Sequence, residues 1–236
     1  MGKYGAFGQL SRKLLDDRLA LSVGFRVDGN TFSDAMRNPL EQFSPRFSAS
    51  YVIAPKLTVN FNTGIFYQLP PYTVLGYRNN LNELVNTDID YIRNKQVVAG
   101  FAYTTKTNSK ISIEGYYKDY DNYPFLSRQG VSLANIGGDF GVVGNEPANS
   151  TSEGRAYGIE VLLQQRLFKG FYGIAAYTLG WSQFSDATGA FRPSGWDNRH
   201  IVALTAGKKF NKDWEIGARW RFTSGAPFTP ADVEAS

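Results

Sequence analysis

The chain has 236 residues, 42% of them hydrophobic and 15% aromatic, which is ample apolar material for a folded domain and does not suit disorder. Its formal charge of +4 is spread without a Lys/Arg run, so no basic footprint for nucleic acid exists, and zero cysteines exclude disulfide frameworks, thiol catalysis and zinc–thiolate sites. Charged residues make up only 19%, below the soluble average of about 25%, while 24 glycines, 14 tyrosines and 17 phenylalanines favour strands and bends over helix.

From the N-terminus, MGKYGAFGQL lacks a charged region followed by an apolar core, so no secretion signal is expected there. Period-2 alternation then predicts about ten strands, over 4–13, 18–29, 44–53, 56–67, 95–105, 110–122, 155–166, 171–183, 199–210 and 214–224. In the second, Leu19, Leu21, Val23, Phe25 and Val27 alternate with Arg18, Ala20, Ser22, Gly24, Arg26 and Asp28. The fourth, KLTVNFNTGIFY, puts Leu57, Val59, Phe61 and Ile65 on one face and Thr58, Asn60, Asn62 and Gly64 on the other. It runs about twelve residues, roughly twice the modal soluble strand of 5 to 6. Pro70 and Pro71 follow and remove ladder donors, so the chain is expected to leave the sheet there, with Tyr67 and Tyr72 bracketing the exit at headgroup depth. Further on, Ile111 and Ile113 oppose Ser112, Glu114 and Lys118. In the last strand Trp214, Ile216, Ala218, Trp220 and Phe222 alternate with Glu215, Gly217, Arg219, Arg221 and Thr223.

The connectors alternate in length. Residues 14–17, 54–55, 106–109, 168–170 and 211–213 are short turns, whereas 30–43, 68–94, 123–154 and 184–198 are long. In an antiparallel meander alternate connectors emerge at opposite ends, so one end is trimmed and the other carries large loops. Transmembrane β-barrels have this asymmetry, and a strand tilted by about 45° needs about 9 to 11 residues to cross the hydrocarbon layer. No stretch approaches the 18 to 20 apolar residues of a spanning helix. A soluble β-sandwich also alternates apolar and polar residues and stays open at this point. Aromatics near strand ends, among them Tyr51, Tyr117, Tyr177, Trp181 and Trp214, favour the membrane.

Four segments in order carry a resemblance: Ser44 to Tyr72, Ile111 to Pro124, Gly154 to Leu179 and Pro193 to Pro230. They resemble the barrel of TonB-dependent outer-membrane receptors, particularly those of Bacteroidetes-type bacteria, and the likeness covers nearly the whole chain. The resemblance implies an all-β, antiparallel up-and-down transmembrane β-barrel, with about ten strands here out of a family total of 22. It implies a single barrel segment over 1–236, an internal fragment without the plug domain, signal peptide or closing strands. It also implies partners: outer-membrane lipid, the plug of the same parent chain, TonB through the N-terminal part, and a scarce nutrient ligand such as a ferric chelate, cobalamin or glycan.

Chemistry outside that reading is thin. His200 lies near Ser194 and Asp197, but proximity in sequence does not make a triad, and no catalytic residue is assigned. Asp119, Asp121 and Asn122, like Asp88 and Asp90, have calcium-loop spacing without the rest of such a loop, so no metal or cofactor is expected. Asp139, Phe140 and Gly141 spell a kinase tripeptide with none of its companions. Arg26, Arg46, Glu114, Lys118, Glu215, Arg219 and Arg221 are expected to face the lumen. Ligand contacts are expected in the long loops, at Tyr67, Gln68, Tyr72, Tyr77, Arg78 and Tyr123, where aromatic faces and a guanidinium grip rings and carboxylates. A passive porin-like barrel or a soluble sandwich binding module are the alternatives to energised uptake.

Overall fold

The computed structural model describes residues 1–107, 109–136, 144–210 and 214–227. Its strands are β1 (Lys3–Leu14), β2 (Leu19–Asn30), β3 (Ser44–Ala54), β4 (Leu57–Gln68), β5 (Ile92–Thr104), β6 (Ser109–Leu126), β7 (Val131–Ser132), β8 (Ala148–Phe168), β9 (Phe171–Ser185), β10 (Phe191–Pro193), β11 (His200–Lys209) and β12 (Glu215–Thr223). One antiparallel sheet joins ten of them in chain order, with β7 and β10 as small additions on β6 and β9. It is an open up-and-down wall whose outer strands, β1 and β12, each pair on one side only.

Where the chain turns tightly, the backbone is suited to it. Lys169 and Gly170 both take positive φ, 49° and 83°, the two-residue geometry whose twist matches a right-handed hairpin. Close approach explains one interior glycine: a Cβ at Gly158 would stand 2.3 Å from the Leu179 carbonyl oxygen and 2.8 Å from the Tyr116 hydroxyl. Asn122, at φ 57°, marks the bulge at which β6 loses strict register with β8.

Directly paired residues share a face, so register identifies the two sides. One face carries the rows Val59–Phe101–Ile113–Val161–Tyr177–Val202–Phe222 and Thr63–Val97–Tyr117–Tyr157–Trp181. The other carries Asn60–Gly100–Glu114–Glu160–Thr178 and Gly64–Gln96–Lys118–Ala156–Ser182. Among the described residues neither face is covered by a second layer: Phe101 is 55% exposed and Ile113 49%. A sandwich would bury the apolar side of such a sheet. Here that side stays open across every strand, a surface which is stable only in an apolar medium.

The strands run longer at the loop end than the sequence predicts. β6 reaches Leu126 and β8 starts at Ala148, so the third long connector shrinks to residues 127–147. Pro70 and Pro71 do end β4, but a one-turn helix, α1 (Tyr72–Leu75), follows at once.

Candidate functional site: the loop end of the wall

The height of the membrane is written on the apolar face. Tyr117, Tyr157 and Trp181 stack side by side, at centroid distances of 6.2 and 5.3 Å, as an aromatic girdle near the end that bears the long loops. One row further out the same face turns charged, with Lys95, Asp119 and Arg155 directly opposed, and the next row pairs Arg93 with Asp121. Tyr67 shares that outer row through Arg93, so it stands two rows beyond the girdle on the loop side. Its ring packs against the apolar core of the loops.

That core is the main buried apolar cluster of the described residues. Met36 from the first long loop, Val74, Leu75, Ile89 and Tyr91 from the second, Leu126 at the end of β6 and Leu133 from the third form it, flanked by Tyr67 and Tyr123. In the wall itself, at membrane height, Ala102 is the buried apolar residue among those described. The reason is physical. A wall solvated by lipid on one side needs no protein core, whereas loops standing in water must bury their own apolar residues.

Two buried asparagines tie the loops together. Asn86, 2% exposed, donates to the carbonyls of Val74 and Glu146 at 2.8 and 3.0 Å and accepts from the Ala148 amide at 2.9 Å. Asn30 donates to the Tyr91 hydroxyl at 2.8 Å and accepts from the Phe32 amide at 2.8 Å. Glu146, buried, accepts from the Arg128 amide at 3.1 Å and from the Gln129 side chain at 2.6 Å. The fourth loop joins through the Gly195 amide, which donates to the Ala134 carbonyl at 2.9 Å. Each bond satisfies a polar group that burial would otherwise penalise.

The environment also sets charge. Burial, with Tyr120 beside it, pushes the Tyr123 phenol up to about 12. Burial works against the Asp121 carboxylate, but hydrogen bonds from Lys95 and Arg93 hold it below the ordinary carboxyl value. Asp90 is raised by burial and then by Glu41 and Asp88.

The residues expected to meet ligand are distributed over this end. Tyr67 and Tyr123 back onto the loop core. Tyr77 accepts a hydrogen bond from the Arg128 guanidinium at 2.9 Å, which lies over its ring. Arg78 is exposed and donates to the Asn82 carbonyl at 2.6 Å, bracing its own loop. Tyr72 is 62% exposed beneath the Lys3 ammonium, 4.9 Å away, and Gln68 is exposed at the end of β4. The structure therefore groups Tyr77 with Arg128 and Tyr67 with Tyr123, and leaves Tyr72 and Gln68 outside those groups. The contributions of Arg128, Asn86 and Glu146 escape sequence reading; the surplus of apolar residues inside long polar loops was the available signal.

The other candidate chemistries dissolve on geometry. His200 shares a hydrogen bond of 2.9 Å with the Tyr177 hydroxyl on the apolar face. Ser194 donates to Ser182 at 2.7 Å, and Asp197 accepts from the Ser182 amide and from Arg199, both at 3.1 Å. The three side chains are thus engaged separately. Asp119 and Asp121 both face the Lys95 ammonium, and Asp121 also takes Arg93, so cations of the chain already occupy the space between these carboxylates. Residues 139–141 lie outside the described residues. On the polar face, register places Arg26, Arg46, Glu114, Lys118, Arg219 and Arg221 together, with Glu215 paired to Lys209 at 3.5 Å.

Comparison with known proteins follows this geometry. The family model described as TonB dependent receptor-like, beta-barrel matches residues 2–235. Among solved structures, the chain is similar to the alcaligin outer membrane receptor FauA from Bordetella pertussis, at 16% identity and a TM-score of 0.60, over 94% of this chain and 37% of that one. It is also similar to the copper transporter OprC, at 19% identity and 0.64, over 94% and 34%. A third likeness is to the ferric-catecholate import receptor Fiu from E. coli K12, at 14% identity and 0.64, over 94% and 35%. The chain spans little more than a third of the length of these solved receptors. No curated protein matches it in sequence. The chain belongs to the TonB-dependent receptor-like β-barrel family, whose members are outer-membrane barrels.

Proposed function

We propose, from this membership, that the chain is part of the barrel wall of an outer-membrane receptor that imports a ferric chelate with energy relayed through TonB. The observation that carries the reading is a two-faced wall capped at one end by packed, cross-linked loops. Pre-ordered loops lower the entropy lost when a scarce ligand binds. The polar face, with Arg26, Arg46, Glu114, Lys118, Arg219 and Arg221, suits a hydrogen-bonding plug, and the unpaired edges of β1 and β12 suit further strands of the same barrel. Tyr72, Tyr77 and Arg78 are the proposed first contacts with ligand, on a platform to which Tyr67, Gln68 and Tyr123 belong.

Uptake of radiolabelled iron as its catecholate chelate, by host cells carrying the full-length receptor, tests this. Replacing Tyr72 and Arg78 by alanine together is expected to lower uptake about tenfold, the loss of an aromatic and a charge-assisted contact. Deleting TonB is expected to reduce it to background. Uptake that survives the loss of TonB would make the barrel a passive porin, and uptake untouched by the double replacement would remove those residues from the site.

A further inference from the structure

The polar face holds a hollow of about 610 Å³ across β1 to β5. One paired row crosses it, with Gln9, Gly24, Arg46, Gly64 and Gln96 on neighbouring strands. Gly64 and Gln96 are next in sequence to Thr63 and Val97 of the girdle row, so the hollow sits at girdle height on the inner side of the wall.

The two glycines flanking Arg46 act differently. A Cβ at Gly64 would stand 3.1 Å from the Phe66 ring and 3.3 Å from the Arg46 Cγ, so both side chains lean over that glycine and close its side of the hollow. The Arg46 guanidinium then lies 4.6 Å from the Phe66 ring centroid, a contact that fixes its plane. A Cβ at Gly24 would first meet the Gly8 carbonyl oxygen at 3.2 Å and the Gln9 stem at 3.6 Å, both on the strand away from Arg46. The space between Gly24 and Arg46 is therefore open to the hollow.

Charge points to an anion in that space. Arg26 is held by the Asp28 carboxylate at 2.6 and 2.7 Å, whereas Arg46 has no ion pair among the described residues. Further inward the next charges are Glu114 and Glu160, directly opposed on β6 and β8. An anion drawn to Arg46 meets like charge beyond it and stops there.

We propose that Arg46 is an inner docking point for the imported chelate: a catecholate enters over Gly24 and its paired anionic oxygens accept hydrogen bonds from the Arg46 fork. Asn62 and Gln96, which also line the hollow, supply amide donors beside it. The guanidinium is held in plane by Phe66 before the ligand arrives, so little side-chain freedom is lost on binding. The inference rests on the proposed import of a ferric chelate and adds a station inside the wall, apart from Tyr72, Tyr77 and Arg78 on the loops.

The test uses the purified full-length receptor, with binding of ferric tris(catecholate) and of the uncharged ferric tris(acetohydroxamate) followed by quenching of tryptophan fluorescence. Wild type is expected to prefer the catecholate, and Arg46→Gln to bind it about tenfold more weakly with hydroxamate binding unchanged. Arg46→Lys, which keeps the charge and loses the fork, is expected to fall between the two. Catecholate binding to Arg46→Gln as tight as to wild type overturns the docking point. Equal weakening for both chelates, with a lowered melting temperature, makes Arg46 a brace for the folded receptor and overturns it too. Failure of wild type to bind either chelate overturns the ferric-chelate reading itself, an outcome distinct from a wild type that binds and a variant that binds equally.

Discussion

Replacing Ile113 by arginine is expected to destabilise the barrel by about 2–4 kcal/mol, the cost of a cation near the bilayer midplane. Ile113 lies in β6, flanked by Phe101 and Val161 on the apolar face, two rows inside the girdle at Tyr117. Its side chain is 49% exposed in the isolated wall, so in water the change would bring a buried-surface loss of little consequence. The whole effect comes from the medium on that side. Asn62→Arg, an exposed position on the opposite face opposed by Ser48 and Val98, is expected to change stability by less than about 1 kcal/mol, since that side is polar. Urea unfolding of the receptor refolded in lipid vesicles measures both. Equal, small effects would mean that neither face meets lipid.

Truncating Asn86 to alanine is expected to open the loop cluster while leaving the wall intact. The change removes three hydrogen bonds, to Val74, Glu146 and Ala148, at a residue only 2% exposed. Two carbonyls and one amide lose their partner, at about 1–3 kcal/mol for each group left unsatisfied, and entering water recovers part of that. A net cost of about 3 kcal/mol corresponds to roughly a hundredfold faster hydrogen exchange for amides of the second and third loops. Amides of β4, β5 and β9 should keep their protection, because nothing in their ladder depends on Asn86. Unchanged exchange in the loops would mean that the apolar cluster of Met36, Val74, Leu75 and Leu133 holds them without it.

The wall was legible in the sequence because a strand in lipid repeats one simple rule over many residues. Leu57, Val59, Phe61 and Ile65 alternate with polar residues, broken only by Thr63 on the apolar face, and the structure pairs this strand with β3 and β5 in the register that alternation demands. Turn chemistry at Lys169 and Gly170 was readable for the same reason, since two left-handed residues are set locally. The loop end was not legible. Whether Val74 and Leu75 point into a core depends on Met36, Leu126 and Leu133, which come from three other stretches of chain. No period links them, so a polar loop with scattered apolar residues reads the same whether it packs or not. Tyr67 shows the limit: its alternation puts it on the apolar face, yet its place two rows beyond the stacked Tyr117, Tyr157 and Trp181 and against the loop core emerges only from strand pairing and packing.

The central claim is that one face of this wall meets lipid and the other does not. This chain contains no cysteine, so single cysteines placed along β4 of a receptor otherwise free of them can each carry a fluorophore. In vesicles of brominated phospholipid, probes at Leu57, Val59 and Phe61 are predicted to be strongly quenched, and probes at Thr58, Asn60 and Asn62 only weakly, a strict two-residue alternation. Uniform quenching along the strand, or none at any position, would contradict the account.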